Sequence, residues 1–190
     1  MNTGFACIYL LLCSSSLIIK IQFYLNQRRI VLSGLKVLFA LIYSNIFIQM
    51  LFIFLHIFCY DAWFYVSHII LHKPKIYGLI HNIHHSTPVN KLDYMSTHIA
   101  HYAENIVQPL GIIIPCFIVE YNPAALVTSF IVISIRGMLR HDDRFSWLIG
   151  NHHLLHHKHV FYNFGEYWID CLCGTCYPNK KEYVYGKTYT

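Results

Sequence analysis

The sequence predicts an all-α, integral membrane protein in which two transmembrane hairpins carry a histidine-rich helical cap on their cytosolic side. Three observations predict it. Hydrophobic residues make up 56% of the 190 residues and charged residues only 12%, whereas ordinary soluble domains carry about 25% charged residues. Long apolar stretches alternate with short polar ones, at a mean hydropathy of +0.43. All 14 histidines lie beyond residue 55, and eight of them recur in three tight sets. The length suits a single large core, with no internal repeat beyond the reused histidine spacing.

Taken in order, the first apolar stretch runs from about Phe5 to Leu25 and is interrupted only by Lys20. About 20 such residues suffice to span a bilayer as a helix. A signal peptide is the alternative, disfavoured because Met1 to Ala6 contains no basic residue. After Asn26 to Arg29 a second run, Ile30 to Phe58, completes an N-terminal transmembrane hairpin over residues 1–59. Residues 60–190 then form the histidine-bearing domain. Within it, residues 106–135 are apolar but broken by Pro109, Pro115, Glu120, Asn122 and Pro123, which predicts two short helices folding back as a second membrane hairpin, because an interior proline removes a helical hydrogen bond. Of the 14 Lys and Arg residues, 10 lie from Lys73 onward, placing the histidine segments in the cytosol by the positive-inside tendency. The membrane is internal, such as the endoplasmic reticulum. Arg28 and Arg29 then fall on the opposite side, against that tendency. The net charge of +5 is modest and contains no long basic run. It favours anionic lipid head groups or an acidic electron donor and excludes a nucleic-acid partner.

The three sets are His68-x-x-x-His72, His81-x-x-His84-His85 and His153-x-x-His156-His157. Residues three and four apart share a helix face, so each set is expected to aim its imidazoles at a single point. Imidazole is the commonest ligand for zinc, copper, iron and nickel, and eight are too many for one ion, so two adjacent metals are expected. Glu-x-x-His pairs of the soluble di-iron bundles and the His-Glu-x-x-His of zinc peptidases are both absent. An all-imidazole shell leaves the metal charge uncompensated, and redox-active iron in it is suited to dioxygen chemistry on the unactivated C–H bonds of a lipid. Polar groups available to orient the rings are Asp61, Asp142, Asp143, Asn151 and Asp170. His98 and His101 share a face, as ligands or as supports for ligands, and His152 is a further candidate beside the better-spaced His153.

These residues carry a resemblance to a known family. Asp61-Ala-Trp-Phe-Tyr65-Val-Ser-His68-Ile-Ile-Leu-His72 resembles the first histidine box of the fatty acid hydroxylase and sterol desaturase superfamily, His81-Asn-Ile-His84-His85 the second, and His152-His153-Leu-Leu-His156-His157 the third. Asn163-Phe164-Gly165, Trp168, Asp170 and Gly174-Thr175 resemble the segment after the third box. His101-x-x-Glu104 is similar to a His-Pro-x-Glu element with Tyr102 in place of proline, and His141 sits where members often have another histidine. The resemblance spans about Asp61 to Pro178. It implies a cap that holds two iron ions above a lipid-binding channel, with His141 and His101 as additional ligands and Glu104 as a supporting group. Zinc is able to replace iron in such a site. Departures are Asn82 in place of a basic residue, a short chain, and no haem-binding signature of a fused cytochrome b5. The resemblance therefore implies a separate electron donor, such as cytochrome b5 with its reductase.

The expected activity is hydroxylation of a lipid such as a sterol or fatty acyl chain in lipid biosynthesis, with desaturation as its variant. Substrate-binding residues are not assigned. Two other classes compete. A membrane metal transporter or a haem electron carrier would place histidines within the spans, but residues 30–58 hold only His56. A catalytically inactive relative would keep the boxes. His56 and His159 read as packed or solvated residues. Cys173-Gly-Thr-Cys176 reads as structural, since cytosolic thiols stay reduced.

Overall fold

The computed structural model describes residues 31–188, with side chains described from residue 45 onward. Among the described residues every regular element is helical: seven α-helices joined by 3-10 segments, without a strand. The predicted first apolar stretch, Phe5 to Leu25, lies outside the described residues. The chain divides after Met50. Before that point the described residues are the first part of helix α1 (Val31–Leu71), and from Leu51 onward a second unit contains everything else. Helix α1 runs unbroken through the expected boundary at 59/60 and carries His68 on its last turn. It stops there because Lys73 precedes Pro74 and takes an extended conformation, ψ 135°, as the steric demand of the proline ring requires. The short α2 (Pro74–Leu79) follows.

Two helices are long and apolar enough to cross a membrane by length and composition: Asn45–Leu71 within α1, and α4 (Pro123–Arg140). Between them, α3 (Tyr102–Val107) continues into a 3-10 segment, Gln108–Phe117, that holds Pro115 in its interior. The two prolines of this stretch are the reason it adopts the tighter turn, since each lacks the N–H that an α-helix needs. This segment lies along α1 in the opposite sense. The Trp63 indole donates to the Val107 carbonyl at 2.8 Å, Gly111 packs on Trp63 and Tyr60, and His56 Nδ1 donates to the Ile112 carbonyl at 2.6 Å. As residue numbers rise from 107 to 112 their partners fall from 63 to 56. The approach is close enough that a Cβ at Gly111 would stand 2.5 Å from Trp63 Cβ and 2.9 Å from Tyr60 Cα. His56 is thus packed, as its apolar context predicts.

The chain reverses at residues 118–122, where Asn122 caps α4 by accepting from the Ala125 N–H at 3.0 Å and Pro123 occupies the first turn, a position that needs no donor. The buried residues of α4 are Ala125, Ser129, Ile133 and Arg140; the first three recur every fourth residue and form the stripe that faces the protein. Ser129 donates to the Ile53 carbonyl of α1 at 3.2 Å. The remaining faces of both helices are open: Phe47, Phe54, Phe130 and Ile131 are each more than half exposed.

The C-terminal part contains α5 (Ser146–Ile149), α6 (His152–Lys158) and α7 (Tyr167–Cys173). The tail returns to brace α6. Asn151 N donates to the Val184 carbonyl at 3.1 Å, and Val184 N donates to Asn151 Oδ1 at 2.9 Å. The interior they enclose is unusual for a helical protein: its largest fully buried side chains are His56, His68, His81, His156, Glu166, Asn163 and Asp170. Buried polar groups of this kind persist only when paired or when they hold an ion. Asp61 on α1 pairs with Arg136 on α4, and Glu166 pairs with Arg140 and, at 3.3 Å, with Arg136.

Candidate metal centre

The last turn of α1, the 3-10 segment His81–Ser86, the C-terminal end of α4 and the whole of α6 converge, and their histidines form two groups. The first holds His68, His72, His81, His85 and His156; the second holds His84, His141, His153 and His157. Within each group the facing ring nitrogens lie within 4.8 Å of one another. The groups adjoin, with the rings of His85 and His157 4.5 Å apart.

The expectation that each set aims at one point is corrected by this arrangement. His68 and His72 do act together. In the second set, however, His81 and His85 join the first group while His84 joins the second, and in the third set His153 and His157 join the second while His156 crosses to the first. Adjacent residues on a helix are separated by about 100° around the axis, so a His-His dipeptide cannot direct both rings at one ion.

Backbone carbonyls fix the protonation of the rings. His68 Nδ1 donates to the Phe164 carbonyl at 2.5 Å, His156 Nδ1 to Tyr162 at 2.6 Å, His84 Nδ1 to Ile99 at 3.0 Å and His141 Nδ1 to Gly137 at 2.7 Å. A neutral imidazole has one N–H, so Nε2 of each of these four rings is a bare lone pair. Two of those lone pairs face each other directly, His84 and His141 Nε2 at 3.1 Å, while His156 Nε2 lies 3.1 Å from the Nε2 atoms of His72 and His85. Two bare acceptors at that distance repel unless a cation lies between them. Nitrogens held about 2.1 Å from one ion and at right angles stand about 3 Å from each other, so the observed spacing fits a coordination shell. His157 strengthens the fit, since neither of its buried ring nitrogens has a protein partner.

Burial, then the neighbouring rings, keep these imidazoles neutral and ready to ligate. His72 is lowered to about 4 by burial first and by His84 second. His141 is lowered to about 3, again by burial first and His84 next. His153, His156 and His157 are held well below the ordinary range for the same two reasons. Ligation by neutral rings releases few protons, which favours metal binding at neutral pH.

The supporting groups divide by what they touch. Glu104, pushed up to about 8 by burial, lies 2.9 Å from His81 Nδ1, although the two groups are not aligned as a hydrogen bond. Asp170 accepts from four donors: Phe164 N at 2.9 Å, Gly165 N at 2.8 Å, Thr175 Oγ1 at 2.6 Å and His152 Nε2 at 2.9 Å. It thereby sets the strand of chain whose Phe164 carbonyl holds His68. Asn163, at φ 59°, turns that chain and donates to the His152 carbonyl at 3.0 Å. Asn151 ties α6 to the tail, its amide donating to the Glu182 carbonyl at 2.9 Å. Asp142 pairs with Arg144, Asp143 accepts from Ser146 at 2.9 Å, and Asp61 belongs to the arginine network.

His98, His101 and His152 lie outside both groups. His101 caps α3 by accepting from Ala103 N at 3.2 Å, His98 is exposed, and His152 faces Asp170. His159 stacks on Tyr177 with ring centroids 4.0 Å apart. Glu166, Arg136 and Arg140 escaped the sequence reading, although charges at the end of an apolar helix signal that they must pair. The carbonyls of Phe164, Tyr162, Ile99 and Gly137 escaped it too, because every residue has one.

No curated protein and no solved structure matches the chain. The sequence profile described as fatty acid hydroxylase matches residues 53–175, well over half of the 190 residues. The matched span begins within α1 and contains every histidine of both groups. The chain belongs to the fatty acid hydroxylase family.

Proposed function

We propose that the protein is a membrane-embedded, non-haem di-iron oxidoreductase that uses dioxygen to hydroxylate a lipid, with a sterol or fatty acyl chain as the substrate class. The observation that carries this reading is the pair of adjoining, all-imidazole groups whose lone pairs converge at close range. His68, His72, His81, His85 and His156 would hold one ion; His84, His141, His153 and His157 would hold the other. Bound iron supplies the activation of dioxygen and the removal of hydrogen from an unreactive C–H bond. The chain does the rest. Backbone carbonyls present the correct ring nitrogens, Asp170 stiffens the loop behind His68, and burial of the rings excludes bulk water.

The membrane part of the proposal rests on three facts. Both apolar helices keep most of their surface uncovered by protein, an exposure that lipid tails would satisfy. Both end at ligands, one at Leu71 beside His72 and the other at Arg140 beside His141. Residues 107–112 run along α1 in the opposite sense before α4 follows, which supports a hairpin. In this reading the cap lies on one face of the bilayer, and the excess of basic residues there supports the cytosolic side of an internal membrane. Electrons come from a separate protein such as cytochrome b5 with its reductase.

The test is incubation of membranes with labelled dioxygen, a reductase system and a lipid extract, read by mass spectrometry against His85→Ala. A lipid with one labelled hydroxyl, absent in the variant, is expected. An unlabelled new double bond would convert the activity to desaturation, and no oxidised sterol, fatty acyl or sphingoid product would identify an inactive relative. Orientation is tested separately. Thiol reagents outside sealed microsomes should label Lys91→Cys and Lys158→Cys, and protection of either until permeabilisation would overturn the arrangement.

A further inference from the structure

Sequence spacing suggests Cys173 as the partner of Cys176, and the fold supplies Cys171 instead. Cys171 Sγ lies 3.1 Å from Cys176 Sγ, inside the van der Waals contact of two sulfurs and about 1 Å beyond the length of a disulfide bond. The local chain makes that meeting. Gly174, at φ 69°, ends α7 in the left-handed conformation, and the Thr175 N–H returns to the Asp170 carbonyl at 2.9 Å, the reversal that glycine allows after a helix. Cys176 is thereby laid back against the last turn of α7, where it meets Cys171. Cys173 lies about 200° around the helix axis from Cys171, and its thiol meets the Tyr65 hydroxyl of α1.

The two thiols sit at the joints of the loop behind His68. Cys171 follows Asp170, whose carboxylate accepts from Phe164 N and Thr175 Oγ1. Cys176 stands between Thr175, whose carbonyl accepts from Asn163 N at 2.9 Å, and Tyr177, whose N–H donates to Asn163 Oδ1 at 2.7 Å. Both anchors therefore act on Asn163 and Phe164, and the Phe164 carbonyl orients His68. Access to the pair is graded. Cys171 is exposed and Cys176 half-buried. Burial first and the Cys171 thiol second hold Cys176 above the ordinary thiol range, so Cys171 is the group that meets a reagent and Cys176 the one that follows.

We propose that Cys171 and Cys176 form a reversible disulfide that locks this loop, with a low-molecular-weight disulfide such as glutathione disulfide as the oxidant. The Cys171 thiolate attacks one sulfur of glutathione disulfide, whose S–S bond breaks, leaving a mixed disulfide on Cys171 and one departing glutathione. The Cys176 thiolate then attacks Cys171 Sγ, the bond from Cys171 to glutathione breaks, and the second glutathione leaves. Two protein thiols are oxidised, one glutathione disulfide is reduced to two glutathiones, and the proton of each protein thiol ends on a departing glutathione. In a reducing cytosol the resting pair is the dithiol, and an exposed disulfide is readily reduced again. Because the sulfurs already touch, the bond needs no rearrangement of the fold and stabilises the conformation that presents His68. Its effect on metal retention rests on the metal reading of the site; the bond itself does not.

The experiment uses the full chain in detergent, either reduced or equilibrated with glutathione disulfide, followed by blocking of the remaining thiols and peptide mass spectrometry. A bond between Cys171 and Cys176 is expected, with Cys173 blocked. Cys173→Ser should keep that bond, and Cys171→Ser and Cys176→Ser should each lose it. Oxidised wild type should melt roughly 4–8 °C above the reduced protein and lose metal to a chelator severalfold more slowly, and Cys171→Ser should show neither shift. If Cys171→Ser fails to fold, oxidised and reduced Cys173→Ser supply the comparison. A bond between Cys173 and Cys176, or chains of wild type and Cys173→Ser that take up only glutathione, would overturn the pairing. An oxidised protein that melts like the reduced one, or sheds its metal at the same rate, would overturn the lock. A chain that forms the bond and gains the Tm shift but holds no metal in either state would refute the metal reading and leave this pairing standing.

Discussion

Replacing Asp170 by Asn should damage the metal centre from a position that touches none of its proposed ligands. The carboxylate is fully buried and divides its four donors evenly: Oδ1 accepts from Phe164 N and Thr175 Oγ1, Oδ2 from Gly165 N and His152 Nε2. An amide keeps one acceptor oxygen and turns the other into a donor. Whichever way it is flipped, two donors then face an N–H₂ group. Hydrogen bonds to a charged group contribute about 1.5–3 kcal/mol each, so losing two predicts a destabilisation of about 3–6 kcal/mol. For a chain of this size that is a fall in Tm of roughly 10 °C. The same change loosens Phe164, whose carbonyl orients His68, and metal affinity should drop by about 10–100-fold, as is usual when the partner of a ligating histidine is disturbed. Thr175→Val supplies the control, because it removes one donor at the edge of the network and leaves the Phe164 contact in place. It should lower Tm by a few degrees and leave metal affinity unchanged. The assays are thermal unfolding in detergent and competition for metal with a chelator. An Asn variant that melts within a degree of wild type and retains its metal would refute the assignment of Asp170 as the support of the His68 loop.

Further expectations follow from the partition of the rings. His84→Ala leaves three imidazoles in the second group and His156→Ala leaves four in the first, so both should lower metal content, His84→Ala more severely; metal content that stays at two ions in both variants would remove these rings from coordination. In the metal-free protein, His72, His81, His84, His85, His141, His153, His156 and His157 all have values below the ordinary one. The unfolded chain therefore takes up protons first, and the stability is present above pH ~6.5 and lost as pH falls, at about 1.4 kcal/mol per pH unit per ring. Near-ultraviolet dichroism should show the cap of the metal-free protein unfolding between about pH 6 and 5, with bound metal shifting the transition lower; equal stability at pH 5 and 7 would contradict it. Gly111→Ala should cost about 1–3 kcal/mol through overpacking against Trp63 and Tyr60, read as a lower Tm, and a neutral result would show that the 108–117 segment does not press on α1.

Much of this was legible in the sequence because it is local. Helical class follows from the long apolar runs, the break at residues 118–122 from Asn122 and Pro123, and the histidine sets from spacing within one or two turns. What escaped depends on contacts between residues distant in sequence. The second set lies on a 3-10 segment, His81–Ser86, rather than an α-helix, and the histidine spacing alone does not distinguish the two. Residues 108–117 tighten in the same way under their prolines. His101 and His152 have the same side chain as the clustered rings, and only the folded chain shows one capping a helix and the other facing a carboxylate. The pairing of Asp61 with Arg136, 75 residues apart, has no local signature at all.

The His-x-x-His-His spacing carries more information than a chelate reading allows. Adjacent rings diverge by about 100° on an α-helix and about 120° on a 3-10 helix, so neither His84 with His85 nor His156 with His157 is able to share an ion. A box ending in two histidines must therefore serve two foci, and two such boxes facing each other exchange one ring apiece. His84 crosses to the group that contains His153 and His157, and His156 crosses to the group that contains His81 and His85. Neither of these two boxes then serves one group alone, whereas the end of α1 serves only the first group and the end of α4 only the second. An ion held by the first group would fix α6 through His156, and α6 carries His153 and His157 of the second; an ion held by the second would fix the His81–Ser86 segment through His84, and that segment carries His81 and His85 of the first. On the proposed two-ion reading, the first ion to arrive would meet the ordering cost of both boxes, which is the condition for positive coupling between the two.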